Sequence, residues 1–149
     1  MKWREVPGYE GLYTVSDTGN VWNEGKGRCV RVNYNSDGYE MVTLYRRGQP
    51  GLRVSVHRLV ASAFVPGQTE TRNTVRHLDG QKLNNTPDNL MWGTMSENIR
   101  DSVDHGTHRN TRKTSCYRGH EFTLENTYRR INRSGRECRE CRRSARRKN

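Results

Sequence analysis

Three cysteines and one histidine near the end of the chain have the spacing of a metal site. Cys116 and His120 form a Cys-x3-His pair, and Cys138 and Cys141 form a Cys-x2-Cys pair after a gap of 17 residues. Zinc takes four such sulfur and nitrogen ligands in a tetrahedral arrangement, and the Cys-x2-Cys spacing lets both sulfurs of a tight turn face one ion. A disulfide is the competing interpretation, but it is rare in a cytosolic chain and leaves one cysteine over. The spacing therefore predicts a structural Zn²⁺ site.

The segment between the two ligand pairs is too short to fold around apolar side chains alone. Residues 132–135, with the sequence Asn-Arg-Ser-Gly, predict the turn of a small hairpin. The predicted miniature core consists of Phe122, Leu124, Tyr128 and Ile131. Because so small a core cannot support a fold unaided, we expect zinc to supply much of the folding free energy of this tail.

Positive charge is concentrated in the same tail. Residues 109–149 hold 14 Lys and Arg against 4 Asp and Glu, whereas residues 1–108 hold 13 against 12. Such an excess attracts polyanions, of which nucleic acid is the commonest. A solvated, partly disordered tail is the competing interpretation. The residues after the last cysteine that we expect to contact phosphates are Arg142, Arg143, Arg146, Arg147 and Lys148.

Composition sets limits on the rest of the molecule. Apolar residues make up 30% of the 149 residues, below the usual share for a globular protein, so small cores with additional support from a metal are expected. No apolar run reaches the roughly 18 residues of a membrane span. The residues from Met1 to Glu5 lack the apolar stretch of a secretory signal, so we expect the protein to stay in the cytosol, without a membrane partner.

Residues 1–50 have the pattern of short antiparallel strands. Residues 12–16 and 21–23 flank the turn sequence Asp-Thr-Gly-Asn, which predicts a hairpin. Residues 29–34 and 39–45 alternate in period two around the turn sequence Asn-Ser-Asp-Gly. Tyrosines on these strands alternate with arginines, in a pattern equally compatible with DNA contact and with half-buried strand packing. The candidate DNA-contacting residues here are Arg31, Arg46 and Arg47.

Residues 51–108 predict the order strand, loop, strand, helix after an initial strand and helix. Thr94 and Glu97 have the spacing of a capping box, and Gly106 follows as a helix stop. His57 begins the first helix beside apolar residues, where packing or a local hydrogen bond is expected rather than catalysis. The expected elements are a strand at 53–56, a helix at 57–64, a strand entering residue 77, a strand at 90–92 and a helix at 95–105.

The stretch from residue 75 to residue 98 contains several ordered motifs. In chain order these are His77-Leu78-Asp79-Gly80, Asn84-Asn85, Asn89-Leu90-Met91-Trp92 and Glu97-Asn98. They resemble the HNH nucleases of phages, including the intron-encoded homing endonucleases. Upstream, the run Pro-Gly-Tyr-Glu-Gly-Leu-Tyr within residues 2–21 resembles the NUMOD4-type module that often precedes this nuclease. The cysteine-containing tail is similar to tails on many phage HNH proteins.

The resemblance implies an α+β protein in three parts. These are a small antiparallel N-terminal sheet that contacts DNA (1–50), a ββα-metal HNH nuclease core (51–108) and a basic zinc-stabilised mini-domain (109–149). The family's general base falls on His77, since a neutral imidazole can take a proton from water near pH 7. Asn89 would tie the loop to the strand. Asn98, on the helix, would bind Mg²⁺ or Mn²⁺ at the scissile phosphate.

One residue departs from the family pattern. Relatives place an acidic metal ligand just before the base, where this chain has Arg76, which cannot bind a cation and is expected to hold the phosphate instead. Asp101 and His105 lie three and seven residues after Asn98 on the same helical face, so they are candidate replacement ligands. The alternatives are that both are surface residues, or that Asn98, phosphate and water hold the ion alone.

The favoured function is therefore a metal-dependent endonuclease that nicks or cuts double-stranded DNA, with a phage or prophage origin. A DNA-binding accessory protein with weak or no catalysis is the alternative, motivated by Arg76, and phage packaging proteins are its candidate partners. An RNA-binding zinc-ribbon protein is a third interpretation. Homing, packaging and defence nucleases share this chemistry, and a monomer is the expected working state.

Overall fold

The computed structural model describes residues 1–129 and 135–146. The chain divides into two compact units, Met1–His105 and Gly106–Asn149. One hydrophobic core runs through the first unit and draws on residues both before and after position 50. The division at residue 50 is therefore one of sequence pattern rather than a break in packing.

Small antiparallel sheets and two helices make up the first unit, so the α+β prediction is confirmed. Strands β1 to β4 form one sheet in sequence order, β5 to β7 form a second, and β8 pairs with β9. The strands are β1 (Trp3–Glu5), β2 (Tyr13–Ser16), β3 (Val21–Asn23), β4 (Arg28–Cys29), β5 (Asn33–Tyr34), β6 (Glu40–Leu44), β7 (Leu52–Ser55), β8 (Thr74–His77) and β9 (Leu90–Gly93). The helices are α1 (Val56–Phe64), the short 3-10 helix Pro87–Asn89, and α2 (Met95–Asp104).

The strand predicted at residues 29–34 is wrong as a single element. Its two ends belong to different sheets, because β4 pairs with β3 whereas β5 pairs with β6. Between them Val30 donates its backbone N–H to the carbonyl of Val21 at 2.7 Å, and Val30 and Val32 pack against the core. The period-two alternation therefore comes from Val30 and Val32, which lie between the two strands at the point where the chain changes sheets.

Helix α1 lies at the centre of the first unit. Its buried residues, at positions 56, 59, 60 and 61, form one stripe of the helix, as the apolar spacing predicts. The helix contacts strands of all three sheets and the 3-10 helix. It ends where Val65 donates its N–H to Ala61, directly before Pro66, which disfavours helical geometry in the preceding residue.

The order β8, loop, β9, α2 matches the predicted strand, loop, strand, helix. Trp92 is buried and donates its indole N–H to the carbonyl of Val65 at 3.0 Å. The predicted capping box is confirmed, because Glu97 donates its N–H to Thr94 Oγ1 at 3.2 Å while Thr94 donates its N–H to Glu97 Oε2 at 2.7 Å. Gly106 follows the helix with a φ of 66°, a conformation that favours glycine.

The second unit contains a two-stranded sheet and one helix. Strand β10 (Thr127–Arg129) pairs antiparallel with β11 (Arg136–Cys138), and α3 (Arg139–Arg146) follows directly. The predicted turn at 132–135 falls on residues that, except for Gly135, lie outside the described ones, as does Ile131. The assignment of Leu124 to a miniature core is wrong, because it is 97% exposed, whereas Phe122 and Tyr128 are half-buried beneath arginine side chains.

None of the helices in the described part of the chain is long and apolar enough to span a bilayer. The longest of them, α2, has 10 residues, whereas a span takes about 20.

Candidate active site and metal centre

His77 is the last residue of β8, where the strand gives way to the polar loop. Its register partner on β9 is Leu90, and the next residue, Leu78, donates its N–H to the carbonyl of Asn89 at 2.9 Å. The side chain of His77 is buried, with 8% of its surface exposed. The strand pair therefore holds the imidazole in a defined place at the edge of the sheet.

A chain of hydrogen bonds leads from His77 to the preceding module. His77 Nε2 lies 3.0 Å from Asn85 Oδ1, and Asn85 Nδ2 donates to Glu40 Oε2 at 2.9 Å. Asn85 is itself buried, with 3% exposure. The motif identified Asn85 from the sequence without a role, and no sequence signal pointed to Glu40, which lies 45 residues earlier.

Two aromatic rings pack against the His77 imidazole. The centroid of His57 lies 5.1 Å from that of His77 in an edge-to-face arrangement, and the centroid of Tyr39 lies 5.0 Å from His57 and 6.0 Å from His77. His57 also contacts Ser55 Oγ through Nε2 at 3.3 Å. The packing and local hydrogen bond expected for His57 are thus present, but the partner that it packs on is the candidate base.

Burial keeps both imidazoles neutral. Together with the neighbouring His77, it lowers the pKa of His57 to about 3, and His57 Nδ1 is buried with no hydrogen-bond partner among the described residues. Burial likewise lowers the pKa of His77, against an opposing contribution from its hydrogen bond to Asn85. A neutral imidazole at neutral pH is the form that can accept a proton.

The amide of Asn89 ties the loop together. Its Oδ1 accepts the N–H of Asp79 at 3.1 Å, and its Nδ2 donates to Asp79 Oδ1 and to the carbonyl of Asn84, both at 2.9 Å. Asp79 Oδ1 also accepts the N–H of Gln81 at 2.8 Å, a hydrogen bond typical of an aspartate that forms a turn. The loop that follows His77 is therefore closed on itself by side-chain hydrogen bonds.

Arg76 makes a two-point ion pair with α2. Its Nε and Nη2 donate to the two carboxylate oxygens of Asp101 at 2.6 Å and 2.8 Å, and its Nη1 lies 3.7 Å from Glu97. The hydrogen bonds from Arg76 lower the pKa of Asp101. Gly93 on the paired strand leaves room for the arginine, because a Cβ there would collide with Arg76 Cδ. The side chains are 14% and 21% exposed, so the pair is largely shielded from water.

The three residues expected to hold a divalent ion differ in their contacts with the rest of the protein. Asn98 is half-buried on α2, and its side chain makes no hydrogen bond with the described residues. Both oxygens of Asp101 are taken by Arg76, which disfavours the predicted ligand role. His105 follows α2 and lies against the loop, where a Cβ on Gly80 would come within 2.7 Å of its Nδ1. Asn98 is therefore the predicted ligand whose oxygen is free of protein partners.

The four predicted ligands of the tail come together in one cluster. Their ligand atoms all lie within 4.8 Å of one another. His120 Nδ1 is 3.5 Å from Cys116 Sγ, 3.5 Å from Cys138 Sγ and 3.3 Å from Cys141 Sγ, and the Cys116 and Cys141 sulfurs are 3.7 Å apart. Zn–S bonds of about 2.3 Å imply tetrahedral edges of about 3.8 Å, which these separations approach. The cluster fits one tetrahedral ion.

Electrostatics of the thiols favour a cation in this cluster. Burial, together with the neighbouring Cys116 and Cys138 thiols, raises the pKa of the Cys141 thiol to about 11. One thiolate beside two others is unfavourable without a positive charge. A divalent ion reverses this balance, because it binds the thiolate form.

Residues outside the ligand set support it. Asn126 Oδ1 accepts the N–H of Glu140 at 3.1 Å, and Asn126 Nδ2 donates to the carbonyl of Glu121, which joins the Cys138–Cys141 turn to the His120 arm. Glu140 Oε2 lies 3.3 Å from His120 Nε2, the ring nitrogen that faces away from the sulfurs. A carboxylate in this position orients a ligating histidine and fixes its tautomer.

The predicted DNA-contacting arginines differ in how they are held. The guanidinium of Arg142 stacks on the Tyr128 ring at 4.3 Å, whereas Arg143 is exposed. Arg31 and Arg47 are exposed as well, and Arg46 donates to the carbonyl of Gly8 at 3.4 Å. Arg146 ends α3, and the last predicted contacts lie outside the described residues, namely Arg147 and Lys148.

Comparison with known families identifies both halves of the first unit. Residues 1–45 match the NUMOD4 motif, and residues 54–100 match the HNH endonuclease family. The fold and these matches define the class of its two segments: residues 1–45 carry a NUMOD4 motif, and residues 54–100 carry a segment of the HNH endonuclease type.

Particular relatives come from viruses. DNA endonuclease I-HmuI of Bacillus phage SP01 is 39% identical over 107 residues, which cover 72% of this chain and 60% of that protein. Uncharacterized HNH endonuclease L247 of Acanthamoeba polyphaga mimivirus is 38% identical over 105 residues, covering 68% of this chain and 26% of the relative. H-N-H endonuclease F-TflII of Escherichia phage T5 is 32% identical over 97 residues, covering 63% and 49%. The chain thus spans 60% or less of the length of these three relatives.

A solved structure of a relative has the same fold. The structure of the HNH homing endonuclease I-HmuI aligns with a TM-score of 0.66 at 39% identity, over 72% of this chain and 60% of that one.

Proposed function

We propose that this chain is an HNH-type endonuclease that hydrolyses a phosphodiester bond in duplex DNA. The observation that carries the proposal is a buried, neutral imidazole at the end of β8, on the strand, loop, strand, helix unit of a known nuclease family. The relative I-HmuI is described as binding and cleaving DNA, and DNA is the substrate class that we infer for this chain.

His77 is the proposed general base. Its Nδ1 has no hydrogen-bond partner among the described residues, while Nε2 is held by Asn85. The free nitrogen can take a proton from the attacking water, and burial favours the neutral form that this step requires. Asn89 has a positioning role, because its amide closes the loop that leads away from His77.

A divalent ion at Asn98 completes the proposal. When bound there, Mg²⁺ or Mn²⁺ would polarise the scissile phosphate and stabilise the leaving oxygen. The side-chain oxygen of Asn98 suits such an ion, but one neutral donor is less than the carboxylates that usually hold it. We infer that phosphate oxygens of the DNA and water supply the remaining ligands, so that the ion and DNA bind together.

Arg76 is proposed to anchor α2 rather than to hold the phosphate. Two of its donors are engaged by Asp101 and a third faces Glu97, so its charge is largely balanced by protein carboxylates. The pair joins the strand that carries His77 to the helix that carries Asn98. In this arrangement Asp101 serves Arg76 and His105 packs on the loop.

The tail is proposed to be a zinc-stabilised element that binds the DNA backbone. Three sulfurs and one imidazole nitrogen form a donor set that suits Zn²⁺. The surplus of arginine and lysine, including Arg142 and Arg143 on α3, supplies the positive charge for phosphate contacts.

Conversion of supercoiled plasmid tests the nuclease directly. The wild type is expected to yield open-circle or linear DNA with Mg²⁺ or Mn²⁺ and none with a chelator, and His77→Ala is expected to reduce the rate by about 10²- to 10⁴-fold with DNA binding unchanged. His108→Ala, a histidine of the second unit that lies outside both the His77 site and the cysteine cluster, is the matched control. Equal cleavage by His77→Ala would remove the histidine from this role.

A DNA-binding accessory protein is the second candidate function. The Arg76–Asp101 pair favours it, because it removes a carboxylate from the set available to a metal. Its signature is tight, salt-sensitive binding to DNA without product under any divalent ion.

A further inference from the structure

The candidate base is linked through Asn85 to a carboxylate from outside the HNH segment. Glu40 lies on β6, within the residues that match the NUMOD4 motif. Its Oε2 accepts a hydrogen bond from Asn85 Nδ2 at 2.9 Å, and Asn85 Oδ1 lies 3.0 Å from His77 Nε2. Asn85 and His77 are both buried, so water competes little for either hydrogen bond.

The chemistry of Glu40 fixes the orientation of the Asn85 amide. A carboxylate can only accept, so the amide must turn its NH₂ group toward Glu40 and its oxygen toward His77. An amide oxygen also only accepts, so His77 Nε2 must carry the hydrogen. In the neutral imidazole the lone pair then resides on Nδ1, the nitrogen without a partner among the described residues.

We propose that Glu40 is a positioning residue for catalysis, which acts through Asn85 to select the Nε2–H tautomer of His77. The NUMOD4 segment thereby completes the nuclease site in addition to any contact with DNA. The catalytic part of this inference rests on the proposed nuclease function, whereas the assignment of the tautomer does not.

A second contact from the same segment supports this arrangement. Tyr39, the neighbour of Glu40, packs its ring 6.0 Å from His77, and Lys82 of the loop places its ammonium 4.9 Å from the Tyr39 ring. Lys82 also donates to the carbonyl of Asp37 at 2.6 Å. The start of β6 and the loop after His77 are therefore joined at several points, which keeps Glu40 within reach of Asn85.

The test reads the tautomer of His77 by ¹⁵N NMR at a pH where the ring is neutral. The wild type is expected to carry its hydrogen on Nε2. Glu40→Lys replaces an acceptor with a donor, so the Asn85 amide is expected to turn, the hydrogen to move to Nδ1, and cleavage to fall by about 100-fold or more. Glu40→Gln retains an oxygen that can accept, so a loss of less than about 10-fold is expected.

Glu70→Lys is the matched control. This substitution changes the charge by the same amount, but Glu70 lies in an exposed loop and does not contact Asn85. If circular dichroism shows that Glu40→Lys does not fold, Glu40→Ala is measured instead. In that variant His77 is expected to be a mixture of the two tautomers. A wild-type Nδ1–H tautomer, or a tautomer unchanged in the folded Glu40 variant, overturns the proposal. Absence of cleavage by the wild type counts against the nuclease function alone, since the NMR measurement is still decisive for the tautomer.

Discussion

The site around His77 and the cysteine cluster of the tail are built in opposite ways. The first is held by contacts between residues 8 to 45 positions apart, on a continuous core of protein side chains. The second lies in a unit where Cys138 is the one buried apolar residue among those that the structure describes, and its three sulfurs and one imidazole nitrogen lie close together. A catalytic group needs a rigid scaffold, whereas a structural ion can itself be the scaffold.

Removal of a tail ligand is the change with the largest expected effect. Cys138→Ser should release the zinc and unfold residues 106–149 while leaving the first unit folded, because an ion of this kind supplies roughly 10 kcal/mol or more of folding free energy. Elemental analysis and NMR spectra check both parts. Cys29→Ser, a change at an exposed cysteine outside the cluster, should retain about one zinc per chain. If Cys138→Ser retains zinc, Cys138 is not a required ligand, and the proposed dependence of the tail on its ion is wrong.

Reversal of the charge at Arg76 tests whether the stability of the first unit can be made to depend on a metal ion. Arg76→Asp leaves Asp101 without its partner and adds a carboxylate nearby, so we expect a loss of about 3 kcal/mol in the free energy of unfolding. Mn²⁺ should restore part of that loss in the variant and have little effect on the wild type, as measured by thermal unfolding. Arg58→Asp is the control, because this exposed arginine donates to the carbonyl of Asn73 and pairs with no carboxylate in the described part of the chain. If Mn²⁺ stabilises the wild type as much as it stabilises Arg76→Asp, then Arg76 does not prevent a metal ion from binding beside Asp101.

Acidification should destabilise the first unit through its buried imidazoles. The pKa of His57 is about 3 in the folded state and about 6.5 unfolded, so the unfolded chain binds more protons between these values. The free energy of unfolding should therefore fall as the pH is lowered, by about 2 kcal/mol between pH 7 and pH 5. Urea unfolding of His57→Gln should lack this part of the pH dependence, whereas His105→Gln should keep it. An identical slope in both variants would mean that His57 is not shielded from water.

The smallest expected effect concerns the support of the zinc ligands. Glu140→Gln should weaken zinc binding by about 10-fold, because His120 loses the carboxylate that orients its ring. Competition with a chelator measures the affinity. Glu125→Gln, an exposed glutamate of the same tail, should bind zinc as the wild type does. Equal affinities for the two variants would show that the cluster relies on its four ligands alone.

Local sequence patterns predicted most of the helices and strands, and they predicted the four residues that the structure brings together in the Cys/His cluster. The capping box at Thr94, the helix over residues 56–64 and the four tail ligands depend on residues close in sequence or on a recurrent spacing. The wrong predictions concern residues whose placement depends on contacts with elements distant in the sequence. The strand at 29–34 divides between two sheets, and Leu124 is apolar but exposed.

The amino-acid sequence by itself determined the resemblance to HNH nucleases, the order of strand, loop, strand and helix, and the four residues of the Cys/His cluster in the tail. Only the tertiary structure decided that Glu40 reaches His77 through Asn85, that His57 packs on His77, and that Arg76 pairs with Asp101. The reason is physical: periodicity and spacing report the faces of single elements, whereas these contacts depend on how separate elements pack on a shared core. A charge that looks like a missing ligand in the sequence is, in the folded chain, half of an ion pair.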